Sequence, residues 1–123
     1  MAKKSSQKIN PSNTPKEIKV ESSIAFEESL KRFLNVSVKN DRKLKRKLER
    51  FITMKTSIPR MPLPDGMNDH KLDPPLNCWE CHLDGDVLLL YTLKNDVLKL
   101  IYVCDHDELK GSGIAKIVGQ YIN

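Results

Sequence analysis

Residues 76–103 read LNCWECHLDGDVLLLYTLKNDVLKLIYV, and this stretch decides the fold. Its middle, residues 87–91, is continuously apolar, as expected for a central strand that is covered on both faces. The mixed segment 76–83 precedes it, and the apolar segment 97–103 follows it. Between the last two segments, residues 94–96 (KND) have the composition of a hairpin turn. The stretch therefore predicts three consecutive strands of one sheet.

The segments upstream predict a strand and two helices. Residues 17–21 alternate polar and apolar side chains, which indicates a short strand. Ser22 or Ser23 then caps a helix whose apolar face is Phe26, Leu30, Phe33 and Leu34. Asn40 or Asp41 caps a second helix with the same spacing at Leu44, Leu48, Phe51 and Ile52.

The remaining segments complete the prediction of the fold class. Residues 58–66 are rich in Pro and Gly and form a connector. Residues 111–113 (GSG) interrupt the pattern, and the apolar end 114–122 adds a strand or a helical turn. A strand, two helices and a meander of strands in this order predict an α+β domain with the helices packed on one sheet.

Length and composition predict one cytoplasmic domain. A chain of 123 residues with 39% hydrophobic residues supports a single modest core. Residues 1–16 are polar and basic and predict a disordered tail, which leaves 17–123 as the domain. No segment has the ~18–20 apolar residues that cross a bilayer, and the charged N-terminus lacks the apolar core of a secretory signal. An odd number of cysteines, three, favours free thiols in a reducing cytosol.

Charge is distributed unevenly along the chain. Residues 31–60 hold eleven Lys or Arg and two acids, whereas residues 61–123 hold five against ten. The basic block includes Arg46 and Lys47, on the second predicted helix. Such a block attracts phosphate backbones or an acidic protein partner, although a solvated helix face has the same composition.

The chain has only three histidines, and all lie in its C-terminal half: His70, His82 and His106. Asp86 follows His82 by four residues. Imidazole gives and takes protons near neutral pH, so several histidines and a carboxylate at one sheet edge would suit acid–base chemistry on a phosphodiester. For any one histidine taken alone, a surface hydrogen-bond pair with a neighbouring Asp is the simpler interpretation.

The thiols have two further interpretations, both disfavoured. Residues 78–82 (CWECH) match the C-x-x-C-H pattern of covalent haem attachment, which normally requires export. Zinc binding would need a tight turn between Cys78 and Cys81, but on a strand these residues point to opposite faces. We therefore interpret the cysteines as packing residues and expect no cofactor and no metal.

Three elements together resemble the YafQ branch of the RelE/ParE toxin superfamily. They are residues 69–72 (DHKL), 80–91 (ECHLDGDVLLLY) and 105–109 (DHDEL), which match that branch's D-H-x-L, H-x-x-x-D-x-x-L-x-Y and T-H-x-x-L-F elements over about residues 17–110. The resemblance implies a RelE/ParE-like α+β fold with two N-terminal helices on a small, mostly antiparallel sheet. It also implies a toxin that cleaves mRNA on the ribosome and is neutralised by a cognate antitoxin. The matching catalytic positions are His70, His82, Asp86 and His106.

The expected mechanism follows from the substrate, because RNA supplies its own nucleophile. One neutral imidazole accepts the 2′-hydroxyl proton and one protonated imidazole donates to the leaving 5′-oxygen, without a metal ion. We assign His82 as base and His106 as acid, with exchange of these roles left open, and His70 supports phosphate or proton transfer. Lys71 and Lys110 are candidates to steady the charge of the transition state, or are plain surface cations.

Two departures from the family pattern support a catalytically degenerate toxin as an alternative. Trp79 stands where the family usually has Arg, and Lys110 where it has Phe. Trp79 either stacks on a base of the RNA or is a half-buried core residue. The alternative functions are a catalytically degenerate toxin and a non-nuclease toxin of the same fold, such as a gyrase inhibitor or an antitoxin-binding module.

Overall fold

The structure, a computed structural model, describes residues 17–34, 38–57, 63–74 and 76–121. The predicted tail 1–16 lies outside these residues. The described elements are β1 (Lys19–Ser22), α1 (Ile24–Leu34), α2 (Val38–Thr56), a 3-10 turn (Asp65–Met67), β2 (His70–Lys71), β3 (Trp79–Asp84), β4 (Val87–Lys94), β5 (Val97–Cys104), α3 (His106–Lys110) and α4 (Ser112–Gly119). None of the described helices is both long and apolar enough to cross a membrane.

The strands form one sheet in the order β1-β5-β4-β3-β2. β1 pairs with β5 in parallel, and every other pair is antiparallel. Leu88 to Thr92 of β4 are buried in succession, which confirms the prediction of a central strand covered on both faces. The predicted α+β class with a mostly antiparallel sheet is therefore confirmed.

Helices α1 and α2 cover one face of the sheet. Phe26 of α1 and Phe51 of α2 are buried in a cluster with strand residues that include Cys81, Leu89 and Tyr91. The cap of α1 is Ser23, whose hydroxyl oxygen accepts the Phe26 N–H at 2.9 Å and whose hydroxyl donates to the Ile101 carbonyl at 2.7 Å. This one side chain therefore both starts the helix and ties it to the sheet.

The predicted cap of α2 is wrong. The described part of the helix already begins at Val38, so Asn40 and Asp41 lie inside it. Asp41 instead pairs with Lys45, one turn later, at 3.4 Å. Such an i,i+4 pair stabilises a helix that has already begun, and a short polar side chain in the first turn has the same composition as a cap.

The opposite face of the sheet is covered by the C-terminal segment. Residue 111 separates α3 from α4, and residues 112 and 113 belong to the first turn of α4 rather than to a break. Ile114 and Val118 of α4 are buried in a second cluster with Cys78, Leu88, Leu90, Ile101 and Cys104. Cys78 and Cys81 lie in different clusters, which confirms that they point to opposite faces of the sheet.

The turns position the strand ends that matter for the site. Asn95 and Asp96 have positive φ angles of 52° and 62°, which fits the two-residue turn between β4 and β5. Gly85, with φ at 53°, reverses the chain between β3 and β4. The sequence did not predict β2, because a strand of two residues is too short to show an alternation.

Candidate active site

Two of the predicted histidines share a buried carboxylate. His70 of β2 is paired with Glu80 of β3, and His82 follows two residues later, on the same face of the strand. Glu80 is only 3% exposed. Its Oε1 lies 3.4 Å from Nε2 of His82 and 3.7 Å from Nε2 of His70. Glu80 therefore links the two imidazoles.

The third histidine, His106, follows β5 and lies next to His82. Leu88 of β4 pairs with both His82 and Cys104, so the end of β5 lies close to β3. His106 then begins α3, and its ring centroid lies 5.2 Å from that of His82, with the two rings edge to face. The sheet register thus brings two histidines of distant sequence position into contact.

Asp86 contacts His106 through both the backbone and the ring of this histidine. Its Oδ1 accepts the backbone N–H of His106 at 3.0 Å and also contacts Nδ1 of the same ring. The hydrogen bond from the ring, then that from the backbone, holds the pKa of Asp86 below its ordinary value. An ionised carboxylate accepts hydrogen bonds, so Nδ1 of His106 carries the hydrogen.

These contacts form a continuous row of five side chains: His70, Glu80, His82, His106 and Asp86. The structure therefore brings all four predicted catalytic positions together. Glu80 was not predicted. Its position two residues before His82 on a strand was the available signal, but this spacing becomes informative only once the pairing with His70 is known.

Replacing His106 with Ala is expected to raise the pKa of Asp86 towards the ordinary value of an aspartate. The lowered pKa in the folded protein means that this contact stabilises the fold above the ordinary carboxyl pKa, and that the gain disappears as pH falls through the lowered value. Titration of the Asp86 carboxyl carbon by NMR measures the change. His70→Ala, which leaves the contact intact, is the control, and an unshifted Asp86 in His106→Ala would contradict the assignment.

A cavity of about 220 Å³ opens beside His82 at the free end of β3. Besides His82 and Leu83, it is lined by Lys47 and Arg50 of α2 and by the segment around the 3-10 turn. Lys47 Nζ also lies 3.0 Å from Asp84 Oδ1. Two cations of the basic helix therefore line a cavity that also borders His82.

The two predicted RNA-binding residues of α2 differ in their position relative to the cavity. Lys47 lines the cavity, whereas the exposed Arg46 is its neighbour on the helix. Arg50, which was not selected from the sequence, lines the cavity too. The charge run could not distinguish Arg46, Lys47 and Arg50, because all three carry the same type of side chain on one helix.

Trp79 lies on the other face of the sheet. It precedes Glu80 by one residue on β3, so its side chain points away from the row of histidines. The ring is 38% exposed and lies 5.9 Å from the Lys55 ammonium. Lys71 is paired with Trp79 across β2 and β3, and Lys110 is exposed in the last turn of α3. Contact of these three residues with RNA stays a prediction.

An ion pair holds the segment that carries His70. Asp69 Oδ2 lies 2.9 Å from Lys55 Nζ, and Asp69 Oδ1 accepts the hydroxyl of Tyr91. The Tyr91 ring packs edge to face on Phe51, with centroids 4.9 Å apart. Tyr91 is therefore a packing residue, and it also joins β4 to the residue that precedes His70.

Comparison with known proteins gives consistent matches. A family model described as a bacterial toxin of type II toxin–antitoxin systems, YafQ, matches residues 18–111. A crystal structure of a metal-bound toxin from Helicobacter pylori is 33% identical, with a TM-score of 0.56, and the match covers 75% of this chain and 98% of the toxin. The Escherichia coli DinJ–YafQ complex contains a chain that is 25% identical, with a TM-score of 0.60, over 77% of this chain and 100% of its own.

A more distant structure shares the fold. The YoeB–YefM toxin–antitoxin complex from Staphylococcus aureus contains a chain that is 18% identical, with a TM-score of 0.54, over 74% of this chain and 98% of its own. No curated protein matches the chain.

Proposed function

Because the chain belongs to the YafQ family of toxins of bacterial type II toxin–antitoxin systems, we propose that it is an endoribonuclease that cleaves mRNA on the ribosome. The observation that carries this proposal is the pair of imidazoles of His82 and His106, 5.2 Å apart between centroids, with a carboxylate beside each. Cleavage of RNA by its own 2′-hydroxyl needs one base and one acid within reach of the same phosphate. This pair offers both.

The environments of the two rings suggest how the roles divide. Asp86 contacts Nδ1 of His106, which orients this ring and suits it to donate a proton to the leaving 5′-oxygen. His82 in its neutral form accepts the proton of the 2′-hydroxyl, and Glu80 stabilises the cation that results. The 2′-oxygen bonds to phosphorus as the bond to the 5′-oxygen breaks. The products are a 2′,3′-cyclic phosphate and a 5′-hydroxyl, and no metal ion takes part in this scheme.

The basic surface supports the choice of substrate. Lys47 and Arg50 line the cavity beside His82, where they would meet the phosphates next to the scissile bond. The exposed Arg46 extends this basic surface along α2, where it would contact ribosomal RNA. The second half of the chain is acidic and would bind free RNA poorly, which fits delivery of the mRNA by the ribosome.

A cognate antitoxin is the expected protein partner. Two of the similar structures are complexes, DinJ–YafQ and YoeB–YefM, in which a toxin of this fold is bound to its antitoxin. An acidic or apolar antitoxin segment that folds on binding would complement the basic surface of this chain.

The test combines growth and product analysis. Induction in a bacterium should arrest growth, and the purified protein should cut mRNA only when ribosomes are present, leaving ends with a 2′,3′-cyclic phosphate. His82→Ala and Asp86→Ala should relieve the arrest. Arrest that is undiminished in both variants would overturn the nuclease proposal and favour a non-nuclease toxin. No arrest at all would favour the catalytically degenerate alternative, for which Trp79 and Lys110 in place of the family's Arg and Phe are the supporting observations.

A further inference from the structure

Helix α4 lies beyond the part of the chain that the family shares. The family match ends at residue 111, and α4 begins at residue 112. The Helicobacter pylori and Escherichia coli toxins match over nearly their whole length, yet over only 75% and 77% of this chain. The helix is therefore an addition to the shared domain.

The added helix is anchored in the sheet under the site. Val118 is fully buried and Ile114 is 4% exposed, and both pack in the second cluster with Leu88. Leu88 is the register partner of His82 on one side and of Cys104 on the other. At the far end, Lys99 Nζ donates to the carbonyl of Tyr121 at 3.1 Å, which fixes the end of the segment to β5.

By contrast, α3 contributes little buried surface of its own. It comprises five residues, His106–Lys110, none of which is fully buried, and a helix of this length is not stable by itself in water. Its partly buried Leu109 packs against the second cluster, which contains Ile114 and Val118. Its polar contacts include the Asp105 cap, which accepts the Glu108 N–H at 2.8 Å, the ion pair of Glu108 with Arg32 at 2.9 Å, and the bond from the His106 N–H to Asp86. Exposed ion pairs of this kind contribute little.

We propose that α4 is a positioning element that holds α3, and with it His106, against His82 and Asp86. Ile114 and Val118 are its anchors, and they act through His106 without touching the reacting atoms. A displacement of about 1 Å at a reacting group costs on the order of a hundredfold in rate. The proposal rests on the proposed nuclease function, because the rate it explains is that of mRNA cleavage.

The experiment uses the full chain with Val118→Ala, which opens a gap under α4. We expect a loss of about ten- to a hundredfold in single-turnover cleavage at a temperature where the variant is folded. Lys116→Ala, at an exposed position of the same helix, is the matched control and should cleave like the parent protein. Ile114→Val, which removes one methylene from the other anchor, keeps the test open if Val118→Ala unfolds.

A double-mutant cycle separates positioning from general destabilisation. If α4 acts through His106, Val118→Ala should have no further effect on the rate in a His106→Ala background. An equal loss in both backgrounds, or a folded Val118→Ala and Ile114→Val at the full rate, would overturn the proposal.

A readout without activity distinguishes this proposal from the nuclease proposal. In Val118→Ala the NMR titration of Asp86 should move towards that of an ordinary aspartate, because its contact with His106 loosens. A shift in a protein that does not cleave RNA would refute only the proposed function. An unshifted Asp86 in folded Val118→Ala would refute the positioning role.

Discussion

Replacing His82 or His106 with Gln is expected to lower the rate of mRNA cleavage on the ribosome by about 10²–10⁴-fold, the usual contribution of one general acid or base. Glutamine has polar atoms at similar positions but exchanges no proton near neutral pH. The two rings are in edge-to-face contact, with centroids 5.2 Å apart, and each is assigned a separate proton transfer. Single-turnover rates measure the chemical step when mRNA-programmed ribosomes are present at a concentration well above the dissociation constant of the toxin–ribosome complex.

Two matched variants make this expectation specific. His70→Gln should lose less, because Nε2 of His70 reaches the row only through Glu80, at 3.7 Å. Asp107→Asn changes an exposed residue next to His106 and should leave the rate unchanged. Losses below tenfold in both His82→Gln and His106→Gln would rule out the mechanism, and a larger loss in His70→Gln would require a new assignment of the base.

The sequence predicted the parts of the site that depend on local pattern. β4 was predictable because a continuous apolar run of this length fits a strand covered on both faces. β5 was predictable as well, because Asn95 and Asp96 in the preceding turn are residue types that adopt positive φ. In three consecutive antiparallel strands, the ends of the first and third strands lie at the same edge of the sheet, which brings His82 and His106 near one another.

The parts that were not predicted depend on register and on long-range packing. Glu80 becomes part of the site only because β2 pairs with it, and two residues of strand carry no periodic signal. Lys55 and Asp69 are 14 residues apart on different elements, so no spacing rule indicates that they pair. The conformation of α4 was left open as strand or helix, since apolar segments of about ten residues fit either state.

Asp69→Ala is expected to lower the free energy of unfolding by about 2 kcal/mol and to slow cleavage as well. The side chains of Asp69 and Lys55 are each 18% exposed, so removal of the carboxylate leaves a largely buried ammonium without this partner. Loss of one member of a fully buried pair costs about 3–5 kcal/mol, and the partial exposure lowers the figure here. Urea denaturation measures the stability, and Asp73→Ala, at an exposed position, is the control.

The effect on cleavage should be separable from the effect on stability. Tyr91→Phe removes only the hydroxyl that donates to Asp69, and should cost about 1–1.5 kcal/mol, the net value of one hydrogen bond. Lys55→Met and Asp69→Leu, combined with Tyr91→Phe so that no hydroxyl is left without its acceptor, replace the ion pair and its hydrogen bond with apolar side chains. Such replacements often restore stability. We expect this triple variant to fold about as stably as the parent protein but to cleave more slowly, since β2 and His70 lose the contact that fixes them to α2. A stable triple variant that cleaves at the parent rate would show that the ion pair supports the fold alone.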